Sequence, residues 1–287
     1  IGGDSLNALN LIFKIETKFD VRLSMNLFLE GASVEDIANS LEQEESNPEL
    51  VTIMPLNYSK SDTIYFVGPM LSHSFLLEYS ALGDALTPTA ALLGLRVSET
   101  IYSDLSSLTS LEKIANAAAI KIIERLDGRE INLVGLSTGG VMACETAKQL
   151  NALGHDVNNL VLFDSHSAGH EKIRLSFLPN FIGFSLRKIK WWFHHKDDRL
   201  LFLSFREFQF KAQLAAQLAD WSPMPIQANK VIFFKPQDGD VDDAQIEKWQ
   251  RTAKGRLVVI PTGGGHTSLT EPDVALHVAQ RLTEDLK

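Results

Sequence analysis

Apolar positions along the chain follow two regimes that change near residue 46. Before it, Leu6, Leu9, Ile12, Phe13 and Ile15 recur at helical spacing, and Ile37, Ala38 and Leu41 repeat the pattern beside Asp36. That periodicity predicts short helices within residues 1–43. Glu42-Gln43-Glu44-Glu45-Ser46-Asn47-Pro48 is polar, acidic and ends on proline, which suits a solvated linker. The expected domains are therefore 1–46 and 47–287.

From about residue 51 short apolar runs alternate with longer amphipathic ones. Residues 63–67 read as a strand, 75–86 and 114–126 as helices, 131–135 as a buried strand and 141–150 as a third helix. Further strands are expected at 160–163, 230–234 and 257–260, with a closing helix from about Val274. Such alternation predicts an α/β fold, a mostly parallel sheet covered on both faces. Residues 166–222 break the rhythm: they hold no convincing strand, but helical patterns at 186–193 and 202–218. A helical insertion between two strands of such a sheet is the usual form of a lid over an active site. Within it, residues 184–193 mix basic and aromatic side chains. They read either as a helix packing Leu186, Ile189 and Phe193 inward with its cations solvated, or as a cap over the site that also touches the first domain, whose linker is acidic at Glu42, Glu44 and Glu45.

Composition narrows the function classes. The chain has 287 residues, 45% hydrophobic and 22% charged, room for one large and one small packed domain. A net charge of −9 disfavours nucleic acid as a partner. Cys144 is the single cysteine, so no internal disulfide forms and a reducing compartment fits. No apolar run approaches the ~18 residues of a membrane span, and no secretory signal is visible at the N-terminus. The expected location is the cytoplasm. The chain opens on a motif without a starting methionine, as the C-terminal part of a longer protein would.

Two serines sit in reactive settings. Gly135-Leu136-Ser137-Thr138-Gly139 follows an apolar strand and precedes a helix. Glycines two positions either side allow a serine to occupy a cramped strand-to-helix turn, and the helix N-terminus aims N–H groups at developing negative charge. A serine hydroxyl needs an adjacent base. His266, in Gly263-Gly264-Gly265-His266-Thr267 after the last strand, occupies the place where such a fold supplies one. The base in turn needs an acid to hold its tautomer. Asp164, at the end of one strand, competes for that role with Asp238, Asp240 and Asp242 in the loop after the next, and position alone divides them evenly. Ser5, in Gly2-Gly3-Asp4-Ser5-Leu6 ahead of an amphipathic helix, reads on its own more readily as an ordinary helix N-cap than as a prosthetic attachment point.

Gly2-Gly3-Asp4-Ser5-Leu6, a helix ending near Phe19, and Gly31-Ala32-Ser33-Val34 before a last helix together resemble the carrier domains of nonribosomal peptide synthetases and related hybrid assembly lines. The first helix of that carrier, which normally precedes the serine, is not in this sequence, so the carrier is partial. Residues 51–287 resemble the type I thioesterase that terminates such assembly lines, an α/β-hydrolase fold with a helical lid. The resemblance implies that Ser5 is esterified with 4′-phosphopantetheine by a phosphopantetheinyl transferase. It implies Ser137 as nucleophile, His266 as general base and Asp164 as acid. The backbone N–H groups of Met70 and Thr138 would form the oxyanion hole, although Gly68-Pro69-Met70 is not followed by the family's glycine-rich run.

The implied partners are an acyl or peptidyl thioester and the upstream modules. The implied reaction is transfer of the acyl group to Ser137, then hydrolysis or macrocyclisation, with neither a metal nor a nicotinamide required. The alternatives are an editing thioesterase that removes misacylated groups, or a non-catalytic docking module of the same fold.

Overall fold

A computed structural model of the chain describes Ile15 and residues 33–42, 49–70, 75–98, 110–166, 213, 216–218, 220–222, 225, 227–253 and 256–285. It divides into two compact units, Ile1–Pro48 and Glu49–Lys287. In the first unit α1 spans Val34–Glu42. Its start is a reciprocal cap: the Ser33 N–H donates to Asp36 Oδ2 at 2.7 Å, and the Asp36 N–H donates to Ser33 Oγ at 3.1 Å. Two N–H groups with no intrahelical partner are thereby satisfied.

The second unit runs β1 (Val51–Pro55), β2 (Ile64–Met70), α2 (Phe75–Leu86), β3 (Ala91–Val97), α3 (Leu111–Leu126), β4 (Ile131–Leu136), α4 (Thr138–Ala152) and β5 (Val157–Phe163). After the insertion come β6 (Ala228–Asp238), α5 (Asp243–Thr252), β7 (Arg256–Gly265), a single 3₁₀ turn (Ser268–Thr270) and α6 (Pro272–Asp285). The strands form one sheet in the order β1-β3-β2-β4-β5-β6-β7. All neighbours are parallel except β1, which pairs antiparallel with β3 at the edge.

Strand side chains alternate between two apolar layers, as the two-residue period of a strand requires. Leu133, Leu160, Leu162, Val231 and Phe233 face α3, α4 and α5 through Ile114, Ala118, Ile122, Ala147 and Trp249. Val134, Val161, Phe163, Ile232 and Phe234 face α2 and α6 through Tyr79, Leu82, Val278 and Leu282. The central strands are buried on both sides, which explains their near-continuous apolar runs. Burying each large side chain contributes roughly 1.5–3 kcal/mol, so the middle of this sheet is a main source of the second unit's stability.

Three elements depart from the pattern read in the sequence. β1 and β3 were not expected: β1 is short and ends in Pro55, and β3 mixes Leu, Ala and Gly without the β-branched runs that mark strands. α5 follows the acidic loop and carries few apolar residues. Its start is set by Asp242, whose side chain accepts from the Gln245 N–H at 2.9 Å.

The lid expected at 166–222 lies mostly outside the described residues. Its C-terminal end docks on the sheet-covering helices. There the Trp221 and Trp249 ring centroids are 6.2 Å apart, and Gln217 Oε1 accepts from the Leu111 N–H at 2.8 Å.

Candidate active site

β4, β5 and β7 run parallel, so the residues that follow each lie along one edge of the sheet. β4 ends at Leu136 and α4 begins at Thr138, leaving Ser137 alone to make the turn, with φ 54° and ψ −121°. A positive φ in a non-glycine residue costs on the order of 1–3 kcal/mol and persists only where the surroundings impose it. Here the Ser137 N–H donates to Phe163 O at 2.9 Å and the Gly140 N–H donates to Ser137 O at 3.1 Å. Gly135 is required because a Cβ there would run into the backbone of Gly139 and Gly140. Ser137 is half-buried and Thr138, the first residue of α4, is exposed.

The β2–β4 ladder ends at Val67 opposite Val134. A Cβ at Gly68 would lie 2.8 Å from Gly139 O and 2.9 Å from the Ala143 N atom, so β2 passes tightly against the first turns of α4. Met70 is the last residue of β2, two positions beyond that contact.

Asp164 follows β5 with φ 43°, its N–H donating to Phe234 O at 3.1 Å. Its side chain is fully buried. Oδ2 accepts from His266 Nδ1 at 2.6 Å and from the Asp240 N–H at 2.9 Å, and Oδ1 accepts from the Val241 N–H at 3.1 Å. Burial pushes this carboxyl up. The hydrogen bond to His266 and the Asp240 amide, with the imidazole's charge and the Val241 amide, outweigh it and hold the group below the usual carboxylate range.

His266 sits in the turn after β7, its side chain 30% exposed. Its hydrogen bond to Asp164 raises its pKa, and this exceeds the opposing effect of burial; the charges of Asp164, Asp240 and Glu78 add in the same direction. With Nδ1 committed to Asp164, Nε2 is the nitrogen left to take a proton.

The structure thus brings Asp164 to His266, and the rival loop approaches the pair in a different way. Asp242 caps α5, Asp238 is exposed at the end of β6, and Asp240 offers Asp164 its backbone N–H while its own carboxylate stands 3.7 Å from His266 Nδ1. Donor atoms of Asp164, Asp240 and His266 lie within 4.8 Å of one another. Asp164 accepts three hydrogen bonds, one of them from His266, which is the arrangement of a carboxylate–imidazole pair.

Sequence reasoning missed the groups that hold these side chains. The Tyr79 hydroxyl, on α2 and fully buried, accepts from the Leu136 N–H at 2.7 Å. Ser268 Oγ donates to Gly265 O at 2.7 Å and lies 3.2 Å from Gly263 O, tightening the turn that presents His266. Gly239 lies so close that a Cβ would be 2.6 Å from Asp164 Oδ1. The one legible signal was Gly239 inside the acidic loop. Ser5 lies outside the described residues.

A strained serine between strand and helix, with a histidine–aspartate pair on the same edge of a mostly parallel sheet, defines an α/β-hydrolase fold. Two family models match parts of the chain. The Thioesterase domain model matches residues 71–176, and the Phosphopantetheine attachment site model matches residues 1–41, which include Ser5. The chain thus carries one region similar to thioesterase domains and another similar to phosphopantetheine attachment sites.

Among curated proteins it is 25% identical over 168 residues to Enterobactin synthase component F of Escherichia coli O157:H7, covering 58% of this chain and 13% of that protein. It is 26% identical over 166 residues to Tyrocidine synthase 3 of Brevibacillus parabrevis, covering 58% of this chain and 2% of that protein. The chain thus spans a small fraction of the relatives it matches.

Solved structures of the same fold include the Vlm2 thioesterase domain, with TM-score 0.60, 15% identity, and 81% of this chain and 96% of that one covered. The type II thioesterase YbtT also has TM-score 0.60, with 16% identity and the same coverage. Holo-AB3403, a four-domain nonribosomal peptide synthetase, matches 99% of this chain and 24% of its own at TM-score 0.61 and 20% identity. Among the described residues no helix is long and apolar enough to cross a membrane.

Proposed function

We propose that the chain is the terminal carrier–thioesterase portion of a cytoplasmic peptide or hybrid assembly line, and that it releases a carrier-bound acyl or peptidyl thioester through Ser137. Upstream modules supply the acyl chain, and a phosphopantetheinyl transferase modifies Ser5. The prosthetic arm, once attached, supplies the thiol on which that chain is carried. The observation that carries this reading is the 2.6 Å contact between His266 Nδ1 and a fully buried Asp164 carboxylate.

Asp164 accepts a hydrogen bond from the His266 Nδ1–H and so fixes the tautomer in which Nε2 is basic. His266 Nε2 removes the Ser137 hydroxyl proton as Oγ bonds to the acyl carbon. The Met70 and Thr138 N–H groups are the candidate donors to the oxyanion, helped by the N-terminal end of α4. The tetrahedral intermediate collapses with cleavage of the carbon–sulfur bond, and the imidazolium returns its proton to the departing thiolate. Water, or a nucleophile within the acyl chain, is then deprotonated by the same histidine and attacks the Ser137 ester; the acyl–Oγ bond breaks and the imidazolium returns the proton to Ser137 Oγ. The attached carrier unit favours release of a finished chain over editing by a free-standing enzyme. A fluorophosphonate probe should label the full chain at Ser137. An unlabelled folded chain would leave only the docking reading.

A further inference from the structure

The geometry points to Asp240 as a second acid of the His266 pair, a positioning residue that shares the imidazolium charge and takes over part of the role of Asp164 when that carboxylate is lost. This inference rests on the proposed serine mechanism. Two carboxylates approach one nitrogen. Asp164 Oδ2 is 2.6 Å from His266 Nδ1, and Asp240 Oδ2 is 3.7 Å from it, within ion-pair range.

The two acids differ in setting. Asp164 is fully buried and held by the Asp240 and Val241 N–H groups, whereas the Asp240 side chain is 60% exposed on the loop after β6. An exposed side chain can rotate to close a gap of about 1 Å without disturbing the core. Its backbone N–H is already tied to Asp164, so the loop cannot drift away. One residue thus contributes to the pair twice, through its amide to the first acid and through its carboxylate to the base. The charged groups facing the imidazole are Asp164 after β5, Asp240 after β6 and Glu78 on α2. An Asp240→Asn change removes one of these three charges and keeps the amide contact.

The test uses the full chain and an octanoyl N-acetylcysteamine thioester, comparing wild type, Asp240→Asn, Asp164→Asn and the double variant. The double variant should fall at least about fivefold below Asp164→Asn in kcat/KM, because it has lost both acids. Equality within twofold would overturn the assignment. A second readout needs no turnover: the His266 ring signals, followed by NMR, should titrate at lower pH in Asp240→Asn than in wild type. An unchanged midpoint would also overturn it. A Ser137→Ala chain as active as wild type would instead defeat the serine mechanism while leaving the NMR result intact.

Discussion

Ser137 and Asp164 both adopt positive φ, 54° and 43°, although neither is glycine. Each follows the last residue of a parallel strand, and each is held by a backbone bond to the neighbouring strand. Strain of this kind is maintained where a side chain must be presented in one direction. Ser137→Ala should therefore leave the fold intact and reduce acyl release by about 10⁴ or more, as loss of a triad nucleophile does. Retained release within tenfold of wild type would contradict the role.

Asp164→Asn should slow acylation by a factor approaching 10⁴, since an amide can hold the wrong tautomer. The pH dependence has a definite sign. His266 must be neutral to accept the serine proton, and Asp164 raises its pKa. The acidic limb of kcat/KM should therefore lie above the ordinary histidine value, with activity lost as pH falls through it and the alkaline side flat until another group titrates. A limb at or below that value would show that the 2.6 Å pair is not the operative one.

At the scale of elements, the parts legible in the sequence were those with strong periodicity and flanking glycines. The strand at 131–135, the Gly135–Gly139 turn and the helix after it stand in the structure as β4, Ser137 and α4. α5 was illegible because only Ile246 and Trp249 mark its buried face, and β3 because Leu, Ala and Gly carry little strand preference. The contest between Asp164 and the acidic loop could not be decided from spacing, because the deciding contact joins residues 102 positions apart.

Sequence separation also hid Tyr79, which lies 57 positions from its partner Leu136. The β2–β4 ladder stops at Val67, and the Tyr79 hydroxyl takes the Leu136 N–H just beyond it. Tyr79→Phe should leave that buried N–H unsatisfied and destabilise the domain by about 1–3 kcal/mol, measured by urea unfolding. Gly135→Ala should be worse, since its Cβ meets the backbone of Gly139 and Gly140, which have no side chain to move. Loss of soluble folded protein, or of fluorophosphonate labelling, would register it.

For the whole molecule, two serines 132 positions apart carried most of the functional reading. The family models fall on both of them, at residues 1–41 and 71–176. The lid expected at 166–222 rests on an interruption of the strand–helix rhythm and lies mostly outside the described residues. The serine mechanism requires that an acyl group pass through an ester on Ser137. The most direct measurement is peptide-resolved mass spectrometry of the full chain quenched during turnover of an octanoyl N-acetylcysteamine thioester. The account predicts one octanoyl mass on the peptide containing Ser137, absent in Ser137→Ala. Thioester turnover at the wild-type rate in Ser137→Ala, or the acyl mass on another residue, would contradict it.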